Sequence, residues 1–273
     1  MKIRKIGPLG AEISDVEGLE NLPDSAVRAI RAAWLEHHVI FIRDAHLTPA
    51  ALVAFAGRFG EPMEYPFLNG LPGHPNVTEV RKRAHETVNF GGIWHSDTSY
   101  LAEPPMATIL IARRVPPHGG DTLFADLHLA FDVLSKGMKK LLAGLIGVNS
   151  SARADTTRTR EDRMHENARP GVAEEYVAEH PVIRTHPETG RRSLYVNPAH
   201  TVRFANMSEE ESAPLLSWLF AHAVKPEFTC RFSWNEGALA MWDNRCTLHY
   251  PVNDYHGHER LMHRITLKGD RPV

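Results

Sequence analysis

Arg260-Leu261-Met262-His263-Arg264-Ile265-Thr266-Leu267 reads as a strand in which polar and apolar residues share one face. In an extended chain residues i and i+2 point the same way, so Arg260, Met262 and Arg264 project together. At ~3.3 Å per residue the two arginine Cα atoms lie roughly 13 Å apart. Guanidinium groups are natural bidentate partners of carboxylates and sulfonates. Two of them so spaced could hold two different anions, with Met262 as apolar surface between them. An outer sheet face carrying ordinary salt bridges would give the same pattern. Residues 228–234 and 238–242, just upstream, also have strand character, which makes the C-terminal part of the chain β-rich.

Working back from there, Ser208 with Glu211 forms a capping box for a helix through Leu215, Leu216, Leu219 and Phe220. Val182-Ile183-Arg184-Thr185 and Ser193-Leu194-Tyr195-Val196 flank a turn at 186–190, a hairpin signal. Residues 151–178 are the most polar stretch and fit either an active-site lid or a solvated surface excursion. Residues 127–145 suggest two short helices broken near Ser135 or Gly137. Apolar strands are expected at 108–112 and 122–124, around a turn at 116–120. Residues 61–92 lack periodicity. Thr48-Pro49 opens a helix whose apolar face is Leu52, Phe55, Ala56 and Phe59. Val39-Ile40-Phe41-Ile42 is a fully apolar run of strand length, and Asp24 is expected to cap a helix through Val27, Ile30 and Trp34. With no repeat and no linker, residues 1–273 form one expected domain. It is mainly β with inserted helices, arranged as a jelly-roll-like double sheet.

The 273 residues carry a net charge of −2, which gives no electrostatic case for nucleic acid or an anionic membrane, so any anion binding rests on local arginines. The first fifteen residues lack the apolar core of a signal peptide, and no stretch approaches the ~18 apolar residues of a membrane span. With only two cysteines, Cys230 and Cys246, a reducing cytoplasm is the simplest setting. The partner these features leave is a small molecule. Seventeen histidines are too many for any one to be diagnostic.

His95-Ser96-Asp97 puts an imidazole and a carboxylate on one face if residues 94–99 are extended. With a second histidine such as His249 they make the two-histidine, one-carboxylate set that leaves coordination positions open and suits Fe(II). Zinc hydrolases use similar ligands. By itself the motif also fits a loop histidine beside a capping aspartate.

The surrounding motifs resemble the 2-oxoglutarate-dependent dioxygenases that include the taurine and 2,4-dichlorophenoxyacetate enzymes. They are Arg58-Phe59-Gly60-Glu61, Trp94-His95-Ser96-Asp97, Gly119-Gly120-Asp121-Thr122, His180-Pro181-Val182-Ile183-Arg184-Thr185-His186-Pro187 and Trp242-Asp243-Asn244-Arg245, followed by His249, Arg260 and Arg264. The resemblance implies a double-stranded β-helix (jelly roll, cupin-like). It implies His95, Asp97 and His249 as Fe(II) ligands. Arg260, eleven residues after His249, and Thr122 would hold the distal carboxylate of 2-oxoglutarate. Arg264 and the Thr98 amide would bind the acidic group of the substrate. The implied reaction uses O2 and releases succinate and CO2 as a substrate carbon is hydroxylated. Asp97 argues against a halogenase, in which the carboxylate position is vacated. Relatives form dimers or tetramers, so a homo-oligomer is expected.

Two positions depart from the taurine-specific pattern: Tyr65 stands where those members carry a sulfonate-contacting histidine, and Gly91 where they carry an asparagine. The expected substrate is therefore an organic anion larger than taurine, such as an aryloxyalkanoate or an alkyl sulfate or sulfonate, cleaved after hydroxylation. Taurine itself and a zinc-hydrolase reading are the alternatives.

Overall fold

A computed structural model describes residues 1–89, 91–152 and 175–273. The polar stretch expected as a lid lies mostly outside them. In chain order the elements are β1 (Lys2–Lys5), β2 (Ala11–Ser14), α1 (Asp24–His37), β3 (Val39–Ile42), α2 (Pro49–Gly57), β4 (Pro62–Met63), β5 (Thr78–Lys82), β6 (Ala107–Arg114) and β7 (Thr122–Asp126). Then come α3 (Leu127–Asp132), α4 (Lys136–Leu142), β8 (Ile146–Ser150), β9 (Val177–Pro181), β10 (Ile183–Thr185), β11 (Arg192–Leu194), β12 (Thr201–Phe204), α5 (Glu209–Ala223), β13 (Thr229–Phe232), β14 (Leu239–Asp243), β15 (Thr247–Pro251) and β16 (Arg260–Leu267).

The larger sheet runs β1-β2-β3-β14-β6-β16-β4, with β5 also paired to β16. A smaller sheet, β13-β7-β15, packs against it. Pairing is antiparallel throughout these two sheets except between β2 and β3. Between the sheets lie Phe41, Leu110, Ala112, Phe124, Phe232, Ala240, Trp242 and Met262. The opposite face of the larger sheet buries Ile40, Ile42, Ile109, Ile111, Leu239, Met241 and Ile265 against Ile30 and Trp34 of α1 and Leu52 and Phe55 of α2. Successive residues of β3 thus serve two different cores, which is why Val39-Ile40-Phe41-Ile42 is apolar without alternation. The fold is the expected jelly roll.

Local signals placed most helices. Thr48 caps α2 by accepting from the Ala51 amide at 3.2 Å, Ser135 caps α4, and Ser208 and Glu211 form the capping box of α5. Asp24 is a correction. It is the first helical residue, and the cap position belongs to Pro23, whose fixed φ of −65° suits the extended entry. The Asp24 carboxylate instead accepts from Arg58 at 2.5 Å. Residues 94–99 are not an extended strand either: only His95 makes a β-bridge, and the chain turns at Asp97. Among the described residues no helix is long and apolar enough to cross a membrane.

Behind the smaller sheet, His38 and His128 are fully enclosed, and burial pushes both imidazoles down from 6.5 to about 4. The His128 Nδ1–H donates to the Arg192 carbonyl at 2.8 Å, a bond that favours the charged ring but does not outweigh burial. Between pH 6.5 and 4 the unfolded chain binds these protons and the native one does not, so stability falls as pH drops through that window, by up to about 3 kcal/mol per histidine. Urea unfolding of the wild type should show this loss, and His128→Gln should flatten it. Wild-type stability that stays level from pH 6.5 to 4 would contradict the assignment.

Candidate active site

Two widely separated segments are joined by one backbone pair. The His95 amide donates to the His249 carbonyl at 3.0 Å, and the His249 amide donates to the His95 carbonyl at 2.8 Å. Residues that exchange both hydrogen bonds stand directly opposite and project to the same side of the ribbon. The two imidazole rings consequently lie 4.0 Å apart, centroid to centroid. The His95 Nδ1–H donates to the Ile93 carbonyl at 2.7 Å, which fixes the tautomer and leaves Nε2 as a lone-pair donor, 3.8 Å from Asp97 Oδ1.

The Asp97 carboxylate is oriented from behind by a chain of hydrogen bonds. Trp242 Nε1 donates to Asn244 Oδ1 at 2.9 Å, Asn244 Nδ2 to Thr108 Oγ1 at 2.9 Å, and the Thr108 hydroxyl to Asp97 Oδ2 at 2.5 Å. Burial favours the protonated acid. The field of His249, Arg264 and His95 and the Thr108 bond outweigh it and hold the carboxyl at about 2. Burial also lowers His95, and it takes His249 well below the ordinary histidine range. The site therefore offers two neutral imidazoles and one carboxylate, with donor atoms within 4.8 Å of one another. His249 Nδ1 is buried without a hydrogen-bond partner among the described residues. Such a donor set fits a divalent cation. Two further groupings share Cys246, but in one of them Asp243 is already bonded by Arg245 (2.8 Å) and His186 (3.0 Å).

A pocket opens beside these residues, lined by His95, Thr122, Trp242, His249, Arg260 and Arg264 among others. Arg260 and Arg264 do share the inward face of β16, with the buried Met262 between them. Arg260 is 6% exposed, and its Nε and one terminal nitrogen have no hydrogen-bond partner among the described residues. The Trp234 indole donates to Thr122 Oγ1 at 3.0 Å, which leaves the threonine proton available to an acceptor in the pocket.

Arg264 lies 3.6 Å from Asp97 Oδ1, and its guanidinium stacks over the Tyr65 ring at 4.3 Å. Tyr65 therefore positions an arginine of the pocket. It begins an aromatic series in which Phe67 touches Tyr65 (5.6 Å), Tyr100 (5.8 Å) and Tyr176 (5.4 Å). Thr98 takes a left-handed φ of 44° in the turn after Asp97, a costly conformation for a β-branched residue. Gly91 has φ 71°, and an added Cβ would sit 2.7 Å from His95 Cε1. The space beside it belongs to a histidine ring, so glycine is required there whatever the size of the substrate.

The profile of the family described as "Taurine catabolism dioxygenase TauD, TfdA family" matches residues 2–266. The chain belongs to this family. It is a 2-oxoglutarate-dependent dioxygenase. An alkylsulfatase of Acinetobacter baylyi is 33% identical over 275 residues, covering 99% of this chain and 86% of that protein. An alpha-ketoglutarate-dependent sulfate ester dioxygenase of Pseudomonas putida is 33% identical over 273 residues, covering 98% and 89%. The crystal structure of a taurine dioxygenase from Burkholderia xenovorans superposes with a TM-score of 0.83 at 36% identity, covering 100% of this chain and 92% of that one.

Sequence reasoning brought together His95, Asp97, Thr122, His249, Arg260 and Arg264. It did not anticipate Thr108 or the aromatic series, which carry no motif of their own. Asn244 was within a quoted motif, but its link to Asp97 through Thr108 becomes visible only when β6 and β14 are paired.

Proposed function

We propose that His95, Asp97 and His249 hold Fe(II), that Arg260 and Thr122 bind the distal carboxylate of 2-oxoglutarate, and that Arg264 with the Thr98 amide takes the anionic group of the substrate. The observation that carries this reading is the buried Arg260 guanidinium, with unpartnered donors, in the same pocket as the three candidate ligands. A buried cation without a partner is costly unless an anion completes it. A zinc hydrolase on the same ligands would have no use for this second anion clamp.

Bound at the triad, iron would supply the oxygen chemistry, coupling oxidative decarboxylation of 2-oxoglutarate to succinate and CO2 with hydroxylation of a substrate C–H. The protein's part is positional. The Thr108–Asn244–Trp242 chain fixes Asp97, the Ile93 carbonyl fixes His95, and the two arginines on β16 hold cosubstrate and substrate on either side of Met262.

The substrate we infer is an organic sulfate ester, sulfonate or aryloxyalkanoate larger than taurine. Tyr65, Phe67, Tyr100 and Tyr176 present apolar rings suited to an alkyl or aryl tail next to Arg264. Hydroxylation of a carbon bearing the sulfate-ester or ether oxygen gives a product that collapses to a carbonyl compound and the released sulfate or phenol. We take the enzyme to be a single domain, to work in the cytoplasm on a diffusible anion, and to assemble as a dimer or tetramer. The test is succinate formation with iron and O2 over alkyl sulfates, alkyl sulfonates, aryloxyalkanoates and taurine. Larger anions should show the higher kcat/KM. Taurine as the best substrate would overturn the substrate assignment. Turnover without 2-oxoglutarate would overturn the reaction itself.

A further inference from the structure

β5 was not legible in the sequence, and its last residue is Lys82. In the register of β5 on β16, Lys82 pairs with Arg260, Val80 with Met262 and Thr78 with Arg264. Directly opposed residues on one face have Cβ atoms about 4.5–5.5 Å apart. Lys82 is 3% exposed, and its Nζ has no hydrogen-bond partner among the described residues. Its Nζ lies over the Tyr255 ring, 4.1 Å from the centroid. Lys82, Arg260, Tyr255 and Asn89 line a small cleft that shares Val80, Pro251 and Arg260 with the main pocket. None of its lining residues is acidic. Glu86, the carboxylate whose field reaches Lys82, already accepts from the Arg83 amide at 2.5 Å.

Two buried cations directly opposed across a strand pair, each with unsatisfied donors, destabilise the protein that contains them. An anion placed between them removes that cost and gains charge-assisted hydrogen bonds from both. We propose that Lys82 is a second cationic residue for the distal carboxylate of 2-oxoglutarate, which it and Arg260 hold from two sides. This rests on the reading of Arg260 as the cosubstrate's partner.

The test uses Mn(II)-loaded enzyme without turnover, with 2-oxoglutarate binding followed by calorimetry and thermal unfolding. Lys82→Met keeps the length of the stem and removes the charge. It should raise the Kd for 2-oxoglutarate about tenfold, while leaving the melting temperature of the ligand-free protein unchanged or higher. Lys82→Arg should recover most of the affinity. The affinity for 2-oxovalerate, which carries a methyl in place of the distal carboxylate, should not fall in Lys82→Met. Unchanged 2-oxoglutarate binding in Lys82→Met, or an equal loss with 2-oxovalerate, overturns the proposal. Arg260→Met separates the two readings. If it loses 2-oxoglutarate and Lys82→Met does not, only the role of Lys82 fails; if it binds normally, both fail.

Discussion

Arg260→Met should fold normally and lose almost all affinity for 2-oxoglutarate. The arginine is anchored on β16, within the sheet, and its aliphatic stem carries the guanidinium to 5.7 Å from the Trp234 ring centroid. Methionine replaces that stem without opening a large void. What it removes is a buried guanidinium whose own burial lowers its affinity for a proton and whose donors have no partner among the described residues. Removing one side of a buried hydrogen-bonded charge pair costs about 2–5 kcal/mol, so the Kd should rise roughly thirtyfold to a few thousandfold. Two signs move in opposite directions. The ligand-free variant should be at least as stable as the wild type, because an uncompensated charge is gone. Saturating 2-oxoglutarate should stabilise the wild type and leave the variant's melting temperature almost unchanged. Calorimetry and thermal unfolding with Mn(II) present measure both. A variant that binds 2-oxoglutarate as tightly as the wild type would remove Arg260 from the cosubstrate site.

Legibility followed the physics of each strand. β16 was placed to the residue because its inward face alternates arginine and methionine with outward residues. β3 was placed because both its faces meet a core. β5 and β15 were not, although they carry Lys82 and His249. Each puts polar or charged residues on its pocket side (Thr78 and Lys82 on β5, His249 on β15), so the hydrophobic pattern that announces a strand is broken where function intervenes. The pairing of His95 with His249 was open for the same reason: it is one isolated bridge with no run of alternating residues behind it. Spacing suggested that His95 and Asp97 project together from a strand. The structure brings their side chains together differently, with a bridge at His95 and a strained turn at Thr98.

The triad is tested most sharply by Asp97→Asn. Asparagine keeps the volume and can still accept the Thr108 hydroxyl, so the Trp242–Asn244–Thr108 chain survives and the fold should too. The negative charge does not survive. The wild-type carboxyl, held at about 2, is ionised throughout the working range and is the only anionic donor in the set. Its loss should lower metal affinity by at least about a hundredfold and reduce succinate formation below about 1%. Metal content after dialysis and an assay at saturating iron measure the two effects separately. The wild type carries a companion expectation. Metal binding requires neutral imidazoles, and burial already keeps His95 and His249 below the ordinary value of about 6.5. Protons therefore begin to compete only at a pH lower than usual, and metal affinity should stay nearly level from pH 8 to about 6. Histidines with ordinary pKa values would instead begin to lose affinity below about pH 6.5. A marked fall between pH 7 and 6, or full activity in Asp97→Asn, would rule out the assigned ligands, because the chemistry then would not depend on the charge that the structure buries there.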